Sequence, residues 1–211
     1  GLLLAFKKYN ARLGILKSPW VGLANFRRIF ITPAAIMALR NTIIISLSRL
    51  IFQFPVPIVL AILLDEMPGT KFKRLYQTIY TFPHFLSWVV ISSILVAFLG
   101  TTGAFNTMIL QFTGQKIDFL SNPKIFRGML YLTANWKEMG WSSIIYMAAI
   151  AGIDPTLYEA ATIDGAGRLR RIWHITLPGI STTIVVLFIL TTGRMMDAGF
   201  GQIFHLQNPA V

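Results

Sequence analysis

Residues 41–64 read NTIIISLSRLIFQFPVPIVLAILL, an apolar run interrupted by Arg49, Gln53 and the pair Pro55/Pro57. A helix needs about 20 apolar residues to cross the hydrocarbon core of a bilayer, which is about 30 Å thick. This run is long enough, and further stretches that qualify or nearly qualify are 77–99, 128–150 and 179–196. The sequence therefore predicts an all-α integral membrane protein, built as a bundle of several transmembrane helices.

The composition of the 211 residues supports this class. Hydrophobic residues make up 55% of the chain and charged residues 13%, and the mean hydropathy is +0.63. An ordinary soluble domain has about a quarter of its residues charged, so most of this surface must face an apolar environment. The sequence has no cysteine, which excludes disulfide scaffolds, thiol catalysis and cysteine-ligated metals.

The net charge of +11 raises the question of nucleic-acid binding. The 19 Lys and Arg residues are scattered between apolar runs, so we expect a lipid bilayer and no nucleic acid as partner. The chain begins at Gly1 and stops at Asn208–Val211 without a capping signal. We therefore interpret 1–211 as part of a single transmembrane domain that lacks its first and last spans.

Ionisable residues inside the predicted spans indicate a path through the membrane. Such residues cost a few kcal/mol on insertion scales and usually face a bundle interior or a water-filled path. Candidate path residues are Arg49 in the first span and Lys137 and Glu138 in the third, together with the adjacent amide Asn135 and aromatic Trp136. For Lys137 and Glu138 the alternatives are a neutralising adjacent pair or a locally irregular helix, and for Trp136 an ordinary packing role.

Other polar residues are less informative. Arg194 and Asp197 lie at the end of the fourth span, where snorkelling to the interface is the simpler interpretation and path-lining the alternative. The histidines are His84, His174 and His205, which are far apart and lack neighbours at metal-ligand spacing, so we expect no metal site. No phosphate-binding G-x-x-x-x-G-K-[ST] loop and no defensible catalytic constellation occur.

The most specific pattern lies in the segment 151–178. It reads Glu159-Ala160-Ala161, three residues, Gly165, nine residues, and then Ile175-Thr176-Leu177-Pro178. This resembles the signature of bacterial ABC-importer permeases at every position and in its spacing. The stretch from Asp154-Pro155 to Tyr158, together with 199–204 and Asn208-Pro209, resembles the carbohydrate branch of these permeases, of the maltose-permease type that takes oligo- and polysaccharides.

Local chemistry agrees with a compact loop of two short helices. Pro155 suits the first turn of a helix, with Asp154 before it as N-cap. Gly165 permits a turn without a Cβ clash, and 168–175 can form a second short helix. The resemblance implies that this cytoplasmic loop docks into a cleft of an ATPase subunit, with Glu159 pairing with an Arg there. The implied coupling residues are Glu159, Ala160, Ala161, Asp164, Gly165, Ile175, Leu177 and Pro178.

The resemblance also implies the surroundings of the chain. It would be a non-catalytic permease subunit of an ATP-driven importer in the bacterial inner membrane, without a cofactor of its own. Its partners would be a second permease subunit, two ATPase subunits that hold ATP and Mg, and an extracellular or periplasmic solute-binding protein. The alternatives are an ABC permease for another solute, such as amino acids or phosphate, and an ion-gradient-driven secondary transporter.

The expected topology conflicts with the distribution of positive charge. If 151–178 is cytoplasmic, 65–75 is cytoplasmic too, and 1–40 and 100–127 lie outside. The positive-inside rule predicts more basic residues on the cytoplasmic side. The inside loops have Lys71, Lys73, Arg74, Arg168, Arg170 and Arg171; the outside segments have Lys7, Lys8, Arg12, Lys17, Arg27, Arg28, Arg40, Lys116, Lys124 and Arg127.

This excess of outside charge suggests an anionic solute. Basic residues facing the exterior would raise the local concentration of an acidic sugar chain, such as a uronate or alginate-like oligosaccharide. The alternatives are attraction to lipid head groups or to acidic patches on a docking binding protein.

Overall fold

The computed structural model describes residues 2–194, 197 and 199–206. Its regular elements are helices, and strand pairing within these residues is confined to an isolated antiparallel bridge between Lys7 and Trp20. The predicted all-α class is therefore confirmed. Met195 and Met196 of the predicted fourth span, and the Asn208-Pro209 pair, lie outside the described residues.

The chain forms two compact units, residues 1–45 and 46–211. The first unit contains a 3-10 helix Leu2–Phe6, α1 Gly14–Lys17, α2 Ala24–Ile31 and the beginning of α3 Pro33–Gln53. The Phe6 ring stacks on Trp20 with ring centres 5.5 Å apart. The amide of Asn25 donates to the carbonyl oxygens of Ala5 and Lys7, both at 3.0 Å. These contacts fold the first 25 residues back on themselves.

The second unit contains the end of α3 and the remaining helices. These are α4 Pro55–Asp65, α5 Thr70–Thr81, a 3-10 turn Phe82–Phe85, α6 Trp88–Leu99, α7 Ala104–Thr113, α8 Pro123–Ala151, α9 Pro155–Ile163, α10 Arg168–Arg171, a π-helical turn Ile172–Thr176, α11 Leu177–Gly179, α12 Ser181–Gly193 and α13 Phe200–Leu206. Proline begins α4, α8 and α9, where its fixed φ suits the first helical position. The side chains of Ser87, Asn122 and Asp154 cap α6, α8 and α9.

Helix α8 lies at the centre of the second unit. It packs most extensively against α4 and α5, and also against α12 and α13. One core cluster joins Tyr146 and Ile150 of α8 to Ala61 and Ile180. A second joins Phe126, Met129 and Leu130 of α8 to Leu206. Lys137 and Ser143, which lie on α8 between the residues of the two clusters, are buried.

The apolar helices differ in length from the predicted spans. Within the described residues, Pro33–Asp65 and Trp88–Thr113 are long and apolar enough to cross a membrane. The pair Arg168–Gly179 and Ser181–Gly193, bent by 61°, would add a third if it forms one span. The predicted span 77–99 is divided between α5, the turn at 82–85 and α6, where Pro83 and the Ser87 cap interrupt the helix. The span boundaries stay a prediction.

Candidate functional site

A cavity of about 620 Å³ lies within the second unit. A volume of this order is typical of sites that enclose a small ligand. Its walls come from parts of the chain that are far apart in sequence. They include Ser46, Arg49, Gln53 and Phe54 at the end of α3, His84 and Trp88 from the turn and α6, Ala134, Glu138, Trp141 and Tyr146 from α8, and Leu187, Thr191, Arg194, Asp197 and Gly199 from α12 and the residues after it.

The charged pair of α8 is held by the turn before α6. Lys137 is only 6% exposed, and its Nζ donates to the backbone carbonyl of His84 at 2.5 Å and lies 3.5 Å from Glu138 Oε1. The other carboxylate oxygen, Oε2, is 2.8 Å from His84 Nδ1. A buried charge is tolerated where it is paired and hydrogen-bonded, as here. Lys137 is thus neutralised beside the cavity, and Glu138 contributes to its wall.

Aromatic rings complete this side of the cavity. The His84 ring lies flat on the Trp141 indole, with ring centres 4.6 Å apart and planes 3° apart. Phe85 meets the same indole edge-on at 6.0 Å. Lys137 Nζ lies 5.8 Å from the Trp88 ring centre. His84 was considered from the sequence only as a metal ligand, and its role in the cavity wall was missed. Its place after Pro83, where the helix breaks, was the available signal for that role.

On the other side of the cavity, Arg49 is held by Gln202. Gln202 is fully buried, and its Nε2 donates to the carbonyl oxygen of Leu130 at 2.9 Å and to Thr133 Oγ1 at 2.7 Å. Its Oε1 accepts a hydrogen bond from Arg49 Nη2. The two donated bonds fix the orientation of the amide, so that its oxygen faces the guanidinium. The role of Gln202 was not predicted from the sequence, where this residue occurs only as part of the segment 199–204 that resembles the carbohydrate branch.

The remaining candidate path residues occupy different positions. Asn135 Nδ2 contacts the carbonyl oxygen of Phe52 at 3.4 Å, and Trp136 is 44% exposed and does not contribute to the cavity wall. Arg194 and Asp197 are exposed and line the cavity. Within the described residues no three His, Asp or Glu side chains gather as metal ligands.

The loop after α8 begins with the predicted helix cap. Asp154 Oδ1 accepts a hydrogen bond from the backbone N–H of Thr156 at 2.9 Å, which lowers the pKa of the Asp154 carboxyl. Gly165 adopts φ +73°, a conformation that favours glycine, and ends the turn after α9. The second predicted helix is present as α10 and the π-helical turn. The predicted cap, turn and helices of the loop are confirmed.

Hydrogen bonds between its two halves hold the loop together. The Tyr158 hydroxyl bonds to the buried Thr176 hydroxyl at 3.0 Å. Arg171 Nη1 donates to Thr162 Oγ1 at 3.2 Å. The N–H of Ala166 donates to the carbonyl of Ala161 across the Gly165 turn at 2.8 Å. α9 is therefore fastened to the residues that lead into α12.

The outer surface of the loop is rich in apolar side chains. Leu157, Ile163, Leu169 and Trp173 are each more than half exposed. Of the predicted coupling residues, Glu159, Ala160, Asp164, Gly165 and Pro178 are exposed, and Ala161, Ile175 and Leu177 are half-buried. An exposed apolar patch rimmed by polar residues is typical of a surface that binds a partner.

Ionisable residues among apolar helices often mark the path of a transported solute, and here Lys137 and Glu138 lie beside a cavity. Residues 53–210 match the family of binding-protein-dependent transport system inner membrane components. The chain belongs to this family, and is thus a multi-span component of the inner membrane.

Individual relatives narrow the branch. The chain is 47% identical over 209 residues to the polygalacturonan/rhamnogalacturonan transport system permease protein YteP of Bacillus subtilis, covering 99% of this chain and 65% of the relative. It is 46% identical to the protein LplB of the same organism, of which it covers 66%. The crystal structure of a bacterial ABC transporter involved in the import of the acidic polysaccharide alginate contains a chain 38% identical, with a TM-score of 0.91, covering 100% of this chain and 70% of that one. The resemblance to carbohydrate ABC-importer permeases is confirmed.

Proposed function

We propose that the chain is the membrane-spanning part of a permease subunit in an ATP-driven ABC importer for acidic oligo- or polysaccharides. Its membership of the binding-protein-dependent family, with the complete loop motif in a folded two-helix form, is the observation that carries the proposal. The chain spans about two thirds of the length of the curated relatives it matches. Activity, substrate and partners are inferred for the whole protein.

An acidic sugar is favoured by the relatives and by the charge of the chain. One relative is a permease for polygalacturonan/rhamnogalacturonan, and another belongs to an importer of alginate, an acidic polysaccharide. Polygalacturonan has a carboxylate on each sugar unit, as a chain of galacturonate. The outside basic residues predicted from the sequence would concentrate such a polyanion at the entrance.

The loop 151–178 couples ATP hydrolysis in the ATPase subunits to movement of the permease. A second permease, two ATPase subunits with ATP and Mg, and a solute-binding protein complete the assembly. The apolar patch around Leu157 and Leu169 enters the cleft of an ATPase, and the exposed Glu159 pairs with an Arg there. Because the Tyr158–Thr176 hydrogen bond fastens α9 to the start of α12, movement of the docked loop moves the helices around the cavity. This chain has no catalytic role.

The cavity is the part of the sugar path that this subunit provides. Arg49 and Glu138 face it directly, whereas Lys137 fixes Glu138 and the His84 turn. Asn135 donates to the backbone carbonyl of Phe52, the residue before Gln53 of the cavity wall. The loops 65–75 and 151–178 are cytoplasmic in this arrangement, and Arg168 of one lies 3.9 Å from Glu66 of the other.

Purification with partners and measurement of uptake test this function. The full-length protein, extracted gently from its native membrane, is expected to bring with it a second permease and an ATPase, identified by mass spectrometry. In proteoliposomes the complex should take up galacturonate oligosaccharides when ATP and the loaded binding protein are supplied. Uptake that continues without ATP and collapses with an ionophore would instead establish an ion-gradient-driven transporter.

Glu159→Ala tests the coupling role separately. Because Glu159 is exposed on α9, its removal should leave the protein folded in the membrane and lower ATP-driven uptake by about tenfold or more. Asp118→Asn removes an exposed charge from the segment 100–127, away from the loop, and keeps the oxygen that accepts from the Ser121 N–H; it is the control for loss of a charge and should transport normally. A cysteine at Ala161 should also cross-link to one in the ATPase cleft. Normal uptake by Glu159→Ala would contradict the coupling assignment.

A further inference from the structure

We propose that Arg49, held by Gln202, is the carboxylate-binding group of the cavity and sets the preference of this permease for acidic over neutral sugar. This inference rests on the proposed function and gives the acidic substrate a specific contact. It concerns recognition inside the membrane, separate from any capture of substrate by the binding protein.

The guanidinium of Arg49 is held in a fixed orientation by Gln202. Arginine carries a planar group of donors that matches a carboxylate, and loses less entropy when its orientation is already fixed. Gln202 provides that orientation, because its amide is fully buried and fixed by two hydrogen bonds of its own, and its oxygen accepts from Arg49 Nη2. Gly199 leaves room for the guanidinium, since a Cβ at this position would overlap it.

The charges of the cavity also favour an anionic ligand. The charged and titratable groups that line it are Arg49, His84, Glu138, Tyr146, Arg194 and Asp197. Glu138 is already engaged by Lys137 and His84. Within the described residues neither Arg49 nor Arg194 has a carboxylate within 4.0 Å. Among the described lining residues, Asp197 is then the acidic group left to oppose the two arginines. An incoming carboxylate would therefore balance the remaining positive charge.

Arg49 is a half-buried charge in the middle of an apolar helix. A charged residue at mid-span is costly and is usually kept for a function. Arg49 Nε is buried and has no hydrogen-bond partner among the described residues, so the internal contacts do not satisfy the whole group. A carboxylate carries the opposite charge and can accept two parallel hydrogen bonds from a guanidinium, whereas a sugar hydroxyl is neutral and cannot pair in this bidentate way.

The experiment compares uptake of trigalacturonate with uptake of its methyl ester, which has the same length and no charge. Both are supplied with the same binding protein to the complete transporter in proteoliposomes, so that the selectivity of the binding protein cancels between variants. The wild type should prefer the acid. Arg49→Gln should lower the acid-to-ester ratio by about tenfold, as expected when one charge-assisted pair is lost. Arg49→Lys, which keeps the charge, should restore part of the ratio.

Two further variants keep the test decisive if Arg49→Gln folds poorly. Gln202→Glu has nearly the same shape and places a carboxylate against Arg49, at the loss of the two hydrogen bonds that the amide donates, so it should lower the ratio while the arginine is retained. Arg74→Gln removes an exposed charge outside the cavity and should leave the ratio unchanged. An unchanged ratio in Arg49→Gln and Gln202→Glu, or no preference in the wild type, overturns the inference. Failure of all ATP-driven uptake in the wild type would instead contradict the proposed function.

Discussion

The cavity and the loop 151–178 are held together by contacts of very different range. Within the loop, the hydrogen bonds join residues 2 to 18 positions apart, such as Asp154 with Thr156 and Tyr158 with Thr176, and a longer-range contact is made by the exposed Arg168, which lies 3.9 Å from Glu66. Around the cavity, Lys137 reaches His84 across 53 positions and Arg49 reaches Gln202 across 153. The loop is therefore a local unit, whereas the cavity exists only when distant helices are assembled.

This difference determines what a substitution does. A change to a hydrogen bond within the loop should alter the stability of the loop and not that of the helices, because these bonds are short-range and the outer face of the loop is exposed. A change at a contact between cavity helices should act on the whole second unit, since α8 takes part in both core clusters. The following predictions test this distinction, from the largest expected effect to the smallest.

Gly140→Ala should give the largest effect. A Cβ at Gly140 would overlap the backbone carbonyl of Tyr80, and a backbone atom cannot rotate away as a side chain can. Overpacking of this kind costs about 1–3 kcal/mol or more, and here it would push α8 from the turn that carries His84. We expect a Tm lower by several degrees for the purified protein, followed by fluorescence, and loss of uptake.

Gly128→Ala provides the matched control on the same helix. A Cβ at this exposed position meets no atom within 4 Å, and alanine favours a helix by about 1 kcal/mol over glycine. Its Tm should be unchanged or slightly higher. Equal Tm values for the two variants would show that the close approach of α8 to Tyr80 has no importance for stability.

The same difference in range explains what could be predicted from the sequence. Asp154, Pro155 and Gly165 act through neighbours in the chain, so the cap, turn and two short helices of the loop followed from local rules. Arg49 and Glu138 were noticeable because charges are rare in apolar spans. Their partners His84 and Gln202 were not predictable, because no local rule pairs residues so far apart. The stretch 77–99 was predicted as one span, and only the structure shows the turn at 82–85 and its contact with Lys137.

Tyr158→Phe should give an intermediate effect that is confined to the loop. It removes one hydrogen bond and leaves the buried Thr176 hydroxyl without its partner, at a cost of about 1 kcal/mol. That cost corresponds to about a fivefold increase in local opening. Trypsin cleavage at the exposed Arg168 and Arg170 should therefore accelerate by about that factor, while the Tm of the whole protein changes little.

The double variant Tyr158→Phe/Thr176→Val separates this hydrogen bond from other effects. Replacing both partners by apolar groups can be nearly neutral, so cleavage should return toward the wild-type rate. A large fall in Tm for Tyr158→Phe would mean that the loop and the helices of the cavity unfold as one unit, contrary to the distinction drawn above.

The smallest effect is expected from the helix cap, and it should depend on pH. The pKa of Asp154 is lowered in the folded protein by the hydrogen bond from the Thr156 N–H. A carboxyl with a lowered folded-state pKa stabilises the fold above its unfolded pKa of about 3.9, and this contribution is lost as the pH falls through the folded-state value.

Asp154→Ala should therefore increase trypsin cleavage of the loop slightly at neutral pH. In thermal unfolding, the small difference between this variant and the wild type should decrease as the pH falls below about 3.9. Asp154→Asn keeps a capping oxygen that does not titrate, so its stability relative to Asp154→Ala should be the same at neutral and at acid pH. A difference between wild type and Asp154→Ala that stays the same at acid pH would show that the charge of the side chain does not stabilise the start of α9.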